Sequence, residues 1–383
     1  MKSHLAPLPD ETVGLYIHVP FCDAKCRYCG FYSERLEDHA PDPLVSALIA
    51  ELHRYRTVPA LHTIYIGGGS PTCLPRTLLG NIVEAVRSRW PAPAEFTVEC
   101  NPGQTDEQTL SMLRHCGITR LSFGVQSFHH EELAVLGRRH SVEQASEAIR
   151  MAQAMGFDNV SLDLIFAIPG STVTSWQHCL QAAVELGVQH ISAYSLSFEP
   201  GTPLDEARRT GLLQTIDEDT DRAMYDLAID FLASAGFAQY EISNFAQPGY
   251  TCLHNQVYWR NSPYIGIGPS AGAYWRGKRT MNLADIDRYI QRVEAGLDTW
   301  EQCEQPGPDD RTCETAVLNL RTREGVDLAA FRQATGADFQ EVFATPLRHY
   351  EYHGWIEIND NRVRLTRKAL AVADAILCDF SSL

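Results

Sequence analysis

Short apolar segments alternate with amphipathic ones along the first two thirds of the chain. The apolar segments are rich in β-branched and aromatic residues and end near Gly, Pro, Asn or another polar residue, as strands do. The predicted strands are residues 15–20, 63–67, 95–100, 120–126, 160–166 and 190–197, and helical patterns lie between them at residues 43–55, 106–115, 142–155 and 173–186. Six successive strand–helix units predict a parallel sheet with right-handed crossovers. Six units are too few for a closed eight-stranded barrel, so we expect an α/β fold with a partial (β/α)6 TIM-like barrel.

Local signals refine the ends of these elements. Thr105 with Gln108, and Ser141 with Gln144, fit capping boxes at the starts of two helices. Residues 217–235 predict one further helix, and residues 240–243 predict an edge strand. The barrel is therefore expected to end near residue 245.

The pattern changes past about residue 249. Residues 254–274 are rich in aromatics and glycine without a clear period, and residues 302–309 have the composition of a linker. Helical patterns follow at residues 313–320, 328–335 and 339–349, and a hairpin is predicted at residues 355–358 and 362–365 across residues 359–361. We expect a barrel over residues 1–245, an aromatic connector over residues 246–304 and a small winged-helix-like domain over residues 305–383.

Composition narrows the functional classes. The chain has 383 residues, of which 44% are hydrophobic and 21% charged, as in an ordinary folded protein. Its 32 Lys and Arg against 48 Asp and Glu give a net charge of −16, which repels phosphate backbones and disfavours nucleic-acid binding. Residues 1–10 lack the apolar core of a signal peptide, and no apolar run is long enough to span a membrane. We expect a cytoplasmic protein without a transmembrane segment.

Three of the eleven cysteines stand close together. Cys22, Cys26 and Cys29 form a C-x3-C-x2-C motif, whereas the other eight are scattered. A structural zinc site commonly uses two separated pairs, and there is no second pair here. A disulfide would leave one thiol over. A [4Fe–4S] cluster with three protein ligands leaves one iron open to a small molecule, and we favour it, with zinc and a purely structural role as alternatives.

Polar or glycine residues follow every predicted barrel strand. In α/β barrels, functional residues collect at this end of the strands. The residues in question are Cys22, Cys26 and Cys29; Gly67 to Pro71; Glu99, Asn101 and Pro102; Gln126 and Ser127; Asp163; and Ser197 and Glu199. Buried polar groups need partners, so we expect a polar ligand beside the cluster. Taken singly, each has a structural alternative: a tight turn for the glycines, a helix cap for Glu99, barrel backbone for Gln126 and a solvated arginine for Arg138.

Several motifs together resemble a known family. Residues 16–22 followed by the three-cysteine motif resemble a radical S-adenosylmethionine (SAM) protein. The HemN/HemW branch of that superfamily is matched by residues 67–71, 99–102, 124–128, 163–165, 167–172, 199–204 and 240–245. His254-Asn255-x-x-Tyr258-Trp259 resembles the H-N-x-x-Y-W motif of HemW heme chaperones. The resemblance covers nearly the whole chain and is looser in the tail.

The resemblance implies roles for the matching residues. The three motif cysteines would hold the cluster, and SAM would chelate the open iron through its amino and carboxylate groups. The residues that align with SAM-contacting positions, some of them for a second SAM, are Tyr16, Gly68, Gly69, Ser70, Glu99, Gln126, Arg138, Asp163 and Ser197. His254, Asn255, Tyr258 and Trp259 would handle heme. The implied partners are heme, heme-requiring acceptor proteins and an electron donor for the cluster; the oligomeric state stays open, with a homodimer among the options.

Three functions are consistent with the resemblance: a heme chaperone, an oxygen-independent coproporphyrinogen III dehydrogenase, and a HemN-like methyltransferase. HemN-type enzymes carry a fourth cysteine where this chain has Phe31, and they have a longer segment before the motif than the fifteen residues that precede Tyr16. Both features and the complete H-N-x-x-Y-W motif favour the chaperone. Gly30, Ser70 and Gly272 depart from the residues usual in HemW. Coproporphyrinogen oxidase activity is not expected; the scaffold is expected to bind SAM, while cleavage of SAM stays open.

Overall fold

The computed structural model describes residues 12–55, 57–58, 60–359 and 361–383. The predicted absence of a signal peptide concerns residues 1–10, which lie outside the described residues, as does Asp360 of the predicted hairpin turn. The strands are β1 Gly14–Val19, β2 Phe21–Cys22, β3 Glu34–Arg35, β4 Thr63–Gly68, β5 Glu95–Cys100, β6 Arg120–Gln126, β7 Val160–Phe166, β8 His190–Ser195, β9 Ala238–Gln239, β10 Asn244–Ala246, β11 Tyr264–Ile267, β12 Gly272–Trp275, β13 Lys278–Asn282, β14 Trp300–Glu304, β15 Val326–Asp327, β16 Ile356–Ile358 and β17 Arg362–Leu365.

Helices connect most of these strands. They are α1 Pro41–Leu52, α2 Arg76–Arg89, α3 Glu107–His115, α4 His130–Leu136, α5 Val142–Ala154, α6 Val173–Glu185, α7 Pro203–Arg209, α8 Glu218–Ser234, α9 Leu253–Trp259, α10 Ile286–Glu294, α11 Pro308–Leu320, α12 Leu328–Thr335, α13 Phe339–Val342, α14 Ala344–Tyr352 and α15 Ala373–Cys378. Short 3-10 turns lie at Leu36–Asp38, His53–Tyr55, Pro71–Cys73, Pro102–Gln104 and Arg367–Val372.

The six predicted strands form a parallel barrel wall. They correspond to β1, β4, β5, β6, β7 and β8, which are neighbours in this order, and a helix follows each strand. Side chains alternate between the two faces of a strand. In β6, Leu121, Phe123 and Val125 are fully buried in the apolar core, whereas Arg120 and Ser122 face the barrel interior. The predicted partial (β/α)6 barrel is confirmed.

The sheet is larger than the sequence pattern indicated. Beyond β1 it continues through β11, which is parallel to β1, and then through the antiparallel strands β12, β13 and β14. Beyond β8 it continues through the antiparallel strands β10 and β9. The linker predicted over residues 302–309 is confined to residues 305–307, because β14 extends to Glu304 and α11 begins at Pro308.

Two other local predictions are corrected. Residues 240–243 do not form a strand but the turn between β9 and β10, which the N–H of Tyr240 closes by donating to the carbonyl of Asn244 at 3.1 Å. Thr105 does not cap α3; Asp106 does, because its Oδ1 accepts the N–H of Thr109 at 2.7 Å. The capping box of Ser141 and Gln144 at α5 is confirmed.

The amino-terminal ends of the barrel strands are closed by residues 240–259, which we call the barrel floor. Glu95, the first residue of β5, accepts the N–H groups of Leu253 at 3.0 Å and His254 at 3.1 Å, and the thiol of Cys252 at 3.5 Å. This carboxylate therefore holds the start of α9 against the barrel. Such a contact satisfies N–H groups that a helix start leaves without partners.

The C-terminal part combines α11 to α14 with the three-stranded antiparallel sheet β15–β17–β16. It packs against the outer side of the floor, where the Asn319 side chain donates to the carbonyl of Trp259 at 2.8 Å and the N–H of Arg323 donates to the carbonyl of Tyr240 at 2.9 Å. In the described part of the chain, no helix combines the length and apolar character needed to cross a membrane.

Candidate cluster and cofactor site

The three motif cysteines line one cavity at the carboxyl ends of the barrel strands. Cys22 lies in β2, and the loop carrying Cys26 and Cys29 is folded back on itself, with the N–H of Cys29 donating to the carbonyl of Cys26 at 3.3 Å. The cavity has a volume of about 190 Å³. Its lining includes most of the other predicted ligand-binding residues: Gly68, Gly69, Ser70, Glu99, Gln126, Arg138 and Asp163.

The electrostatics of the cysteines suit a metal cluster. Burial raises the pKa of the Cys22 thiol to about 11 and also raises the pKa of Cys29, so metal ligation must release protons from these thiols. Nη1 of Arg138 donates to Sγ of Cys26 at 3.4 Å, and its Nη2 donates to the carbonyl of Gly124 at 2.6 Å. Arg138 therefore places a positive charge beside the cysteine motif.

The cysteines are not arranged around a single ion. Among the described residues, no three His, Cys, Asp or Glu side chains meet at a point that could hold one metal ion. An iron–sulfur cluster does not require such convergence, because its thiolates bind different iron atoms. Three thiols on one cavity wall, with an arginine beside them, fit a [4Fe–4S] cluster with one iron left for a small ligand.

The glycine run at the end of β4 is required by close packing. A Cβ on Gly69 would lie 2.4 Å from the carbonyl oxygen of Phe21 and 3.0 Å from Sγ of Cys22. Gly68 has a φ of +115°, and a Cβ there would lie 2.8 Å from the His18 ring. The N–H groups of Gly68 and Gly69 already donate to Glu99 at 3.1 Å and to the carbonyl of Val19 at 2.9 Å. The run therefore lets β4 approach the cysteine loop, with these two N–H groups engaged inside the protein.

Two half-buried carboxyl groups, those of Glu99 and Asp163, line the cavity together with the cysteines. Oε1 of Glu99 accepts the hydroxyl of Tyr65 at 2.8 Å. Burial raises the pKa of Glu99 to about 7, and burial also raises the pKa of Asp163. Bringing a positively charged group into the cavity would stabilise their ionised forms. The cavity thus favours a ligand that carries a cationic centre.

Gln126 is directed into the site by its backbone. It has a φ of +71°, which is uncommon outside glycine, and the pairing of β6 with β7 shifts register between Gly124 and Gln126. Such a bulge re-aims the side chain at the end of a strand. Gln126 consequently lines the cavity although it belongs to a buried strand.

A second, inner cavity continues from the cluster site toward the floor. It has a volume of about 600 Å³ and shares Glu99, Gln126 and Asp163 with the first cavity. Ser197 lines this cavity, just past the end of β8. Tyr16 is not among the lining residues of either cavity; its hydroxyl is hydrogen-bonded to Nδ1 of His18 at 2.9 Å.

The H-N-x-x-Y-W residues divide between cavity and packing. Asn255 lines the inner cavity, at its floor end. His254 is buried, with Nδ1 hydrogen-bonded to the Thr63 hydroxyl and Nε2 to the Tyr258 hydroxyl, both at 2.8 Å. Burial lowers the pKa of His254 to about 3, so the ring is neutral. Trp259 packs under the Arg321 guanidinium, 5.3 Å from the ring centre.

Sequence inspection missed several lining residues. Tyr28 lines both cavities, and Arg120 and Cys252 line the inner one. The signal for Arg120 was the alternation in β6, where Arg120, Ser122, Gly124 and Gln126 interleave with three apolar residues. The signal for Cys252 was its position next to the H-N-x-x-Y-W motif.

Comparisons with known proteins identify the family of the chain. The sequence model of the radical SAM superfamily matches residues 16–183, and that of the HemN C-terminal domain matches residues 308–372. The heme chaperone HemW of Mycobacterium tuberculosis is 36% identical over 381 residues, covering 97% of this chain and 96% of that protein. The chain belongs to the HemW family of radical SAM proteins. The HemW of Bacillus subtilis is 32% identical over 373 residues, covering 95% of this chain and 98% of its own.

A solved structure supports the fold. The coproporphyrinogen III oxidase HemN of Escherichia coli, a radical SAM enzyme, superposes with a TM-score of 0.84 at 22% identity, covering 99% of this chain and 92% of that one. Membership of the HemW family, and so of the radical SAM superfamily, implies a [4Fe–4S] cluster and SAM as cofactors. It favours the cluster over zinc and over a structural role for the three cysteines.

Proposed function

We propose that this protein binds heme and transfers it to heme-requiring acceptor proteins, with the cluster and SAM in a supporting or regulatory role. The observation that carries the proposal is the inner cavity, which joins the cysteine site to a floor built from the H-N-x-x-Y-W helix. Its volume of about 600 Å³ suits a large cofactor. The curated relatives in this family are named heme chaperones.

The residues at the cluster end divide into ligands and orienting groups. Cys22, Cys26 and Cys29 would ligate the cluster, and Arg138 would donate a hydrogen bond to the Cys26 sulfur. When bound, the cluster and SAM supply one-electron chemistry at a sulfonium group. Glu99 and Asp163 would hold the cationic end of SAM. Of the remaining SAM-aligned residues, Gly68, Gly69, Ser70, Gln126 and Ser197 would shape the cavity walls and exclude water, whereas Tyr16 lies outside both cavities.

The floor would act on heme through α9. Asn255 faces the cavity directly, whereas His254 and Tyr258 hold the helix in place beneath it. For His254 to bind heme iron, its ring would have to release Thr63 or Tyr258, since both nitrogens are engaged. Trp259 would link heme handling to the C-terminal part through Asn319.

The chain lacks the fourth cysteine that HemN-type enzymes carry beside the cluster motif, which argues against the dehydrogenase function. Phe31 stands at that position, lines both cavities and is 72% exposed. It offers a hydrophobic rim to the cavity mouth instead of a thiol. We therefore expect no conversion of coproporphyrinogen III. The proposal also includes an electron donor for the cluster and a cytoplasmic location, where free cysteines are typical.

An anaerobic heme titration of the cluster-containing protein tests the proposal. We expect a Soret shift that saturates with an affinity of about micromolar or tighter, and an unshifted Soret band throughout would refute heme binding. Transfer is tested by adding an apo-protein that requires heme and following the appearance of its holo spectrum.

Parallel assays address the alternatives. Formation of the decarboxylated porphyrinogen from coproporphyrinogen III, with SAM and a reductant, would establish the dehydrogenase instead. Formation of S-adenosylhomocysteine together with 5′-deoxyadenosine, measured by mass spectrometry, would establish a methyltransferase.

A further inference from the structure

Arg120 places a buried positive charge at the closed end of the inner cavity. It is the first residue of β6, is only 2% exposed and lines the cavity together with Cys252 and Asn255 of the floor. Its side chain points inward because it shares the face of Ser122, which also lines the cavity. The function proposed above assigns no role to Arg120.

The guanidinium of Arg120 has no contacting counterion. Its buried Nε lacks a hydrogen-bond partner, and among the described residues no carboxylate forms an ion pair with it. Glu95, a carboxylate that interacts electrostatically with Arg120, accepts the N–H groups of Leu253 and His254. Burial lowers the pKa of Arg120, but nearby acidic groups more than offset this, so the guanidinium stays charged and is available to a contacting anion. An anionic ligand in the cavity would supply that partner.

The remaining charged groups near Arg120 do not fill this role. Glu99 and Asp163 interact with Arg120 electrostatically but form no ion pair with it. The hydrogen bonds of Glu99 go to Tyr65 and Gly68. The neighbouring His190 is engaged by Ser161 and Tyr240.

The two ends of the inner cavity differ in character. Its mouth is lined by the aromatic and aliphatic side chains Tyr28, Phe31, Ile165 and Leu196 and by the polar residues Ser195, Ser197 and Glu199, whereas Arg120 and Asn255 lie at its floor. A ligand that matches both ends has an apolar body and an anionic group at one edge. Heme has this form, since its two carboxylates lie on one side of an apolar macrocycle. SAM carries a carboxylate as well.

We propose that Arg120 binds a carboxylate of the ligand that occupies the inner cavity, and that this contact fixes which edge of the ligand points to the floor. The assignment of that ligand as heme rests on the function proposed above. The carboxylate contact itself does not, because a second SAM could supply the same group.

The first test changes the ligand and leaves the protein intact. Cluster-containing wild-type protein is titrated anaerobically with heme and with heme dimethyl ester, in which both carboxylates are neutral. A hydrogen-bonded ion pair with arginine predicts that the ester binds about 10- to 100-fold more weakly. Equal affinities would overturn the contact with heme, while heme chaperone function would stand.

The second test changes Arg120. In Arg120→Gln, heme should bind as weakly as the ester, and esterification should then have no further effect; Arg120→Lys should retain part of the preference. Arg150→Gln, an exposed arginine on α5, is the matched control and should behave as wild type. Iron content and thermal unfolding report whether each variant folds. If Arg120→Gln does not fold, the comparison of heme with its dimethyl ester in wild-type protein tests the contact instead.

The third test identifies SAM as the alternative source of the carboxylate. Equilibrium dialysis measures how many SAM molecules the wild-type and Arg120→Gln proteins bind. Loss of one of two SAM molecules in the variant assigns the contact to SAM. Unchanged SAM binding, together with equal binding of heme and its ester, overturns the proposal. If wild-type protein binds no heme at all, the proposed function is refuted. The SAM measurement then tests by itself whether Arg120 binds a carboxylate.

Discussion

The substitution Gly69→Ala tests whether close packing of β4 positions the cluster ligand. A Cβ on Gly69 would lie 2.4 Å from the carbonyl oxygen of Phe21, whereas ordinary contacts begin at 3.4 Å, so the chain must move by about 1 Å. Because the obstacle is backbone, no side-chain rotation relieves it. Overpacking of this kind costs about 1–3 kcal/mol of unfolding free energy. The displaced residue is bonded to Cys22, so the cluster should also be lost in part.

Gly80→Ala is the matched control for this substitution. Its Cβ would meet only the Met112 sulfur, at 3.8 Å, and alanine stabilises a helix interior by about 0.5–1 kcal/mol relative to glycine. Denaturant unfolding and iron per chain are measured for both variants. The expected result is lower stability and lower iron content for Gly69→Ala alone. Wild-type stability and full iron content in Gly69→Ala would refute the packing argument.

Three other predictions concern the cluster, a buried carboxyl and a helix cap. Cys26→Ala should remove the broad visible absorbance of the cluster, while Cys303→Ala, at an exposed cysteine on β14, should leave it intact; full iron content in the first variant would contradict the ligand assignment. The pKa of Glu99 is about 7 in the folded protein and about 4.5 in the unfolded chain. As the pH rises from about 4.5 to about 7, the ligand-free protein should therefore lose about 3 kcal/mol of unfolding free energy from this group. Glu99→Gln should show a correspondingly flatter dependence of unfolding free energy on pH, and an unchanged slope would count against the burial of this charge. Ser141→Ala should lower stability by about 1 kcal/mol with unchanged iron content, because α5 loses its capping box; equal stability would show that the cap contributes nothing.

The barrel wall could be predicted from the sequence because its signals are local. Each wall strand is a short apolar run followed by an amphipathic helix, and this alternation leaves few topologies open. The cysteine motif, Glu99, Gln126, Arg138 and Asp163 could be placed together because parallel strands bring their carboxyl ends to one edge.

The remainder depends on contacts between distant segments. Residues 264–267 form a strand of only four residues that contains one glycine and is followed by another, so the local pattern does not indicate a strand. Its partner β1 lies 250 residues earlier in the sequence, as the pairing of Gly14 with Tyr264 shows. No local pattern encodes such a partner. The engagement of both His254 nitrogens by Thr63 and Tyr258 also depends on tertiary packing, as does the isolation of Arg120.

The position of β1 between β4 and β11 has a consequence for biosynthesis. One edge of β1 is covered by β4, whose last residue is Gly68, but its other edge is covered only by β11, which ends at Ile267. While the chain leaves the ribosome, the β1 edge therefore waits for about 200 further residues before its second neighbour emerges. At translation rates of about 5–20 residues per second, this interval lasts about 10–40 s. An unpaired strand edge is a site for pairing with another chain, so the first strand of the barrel is the part of the nascent protein that most needs shielding until β11 has been made.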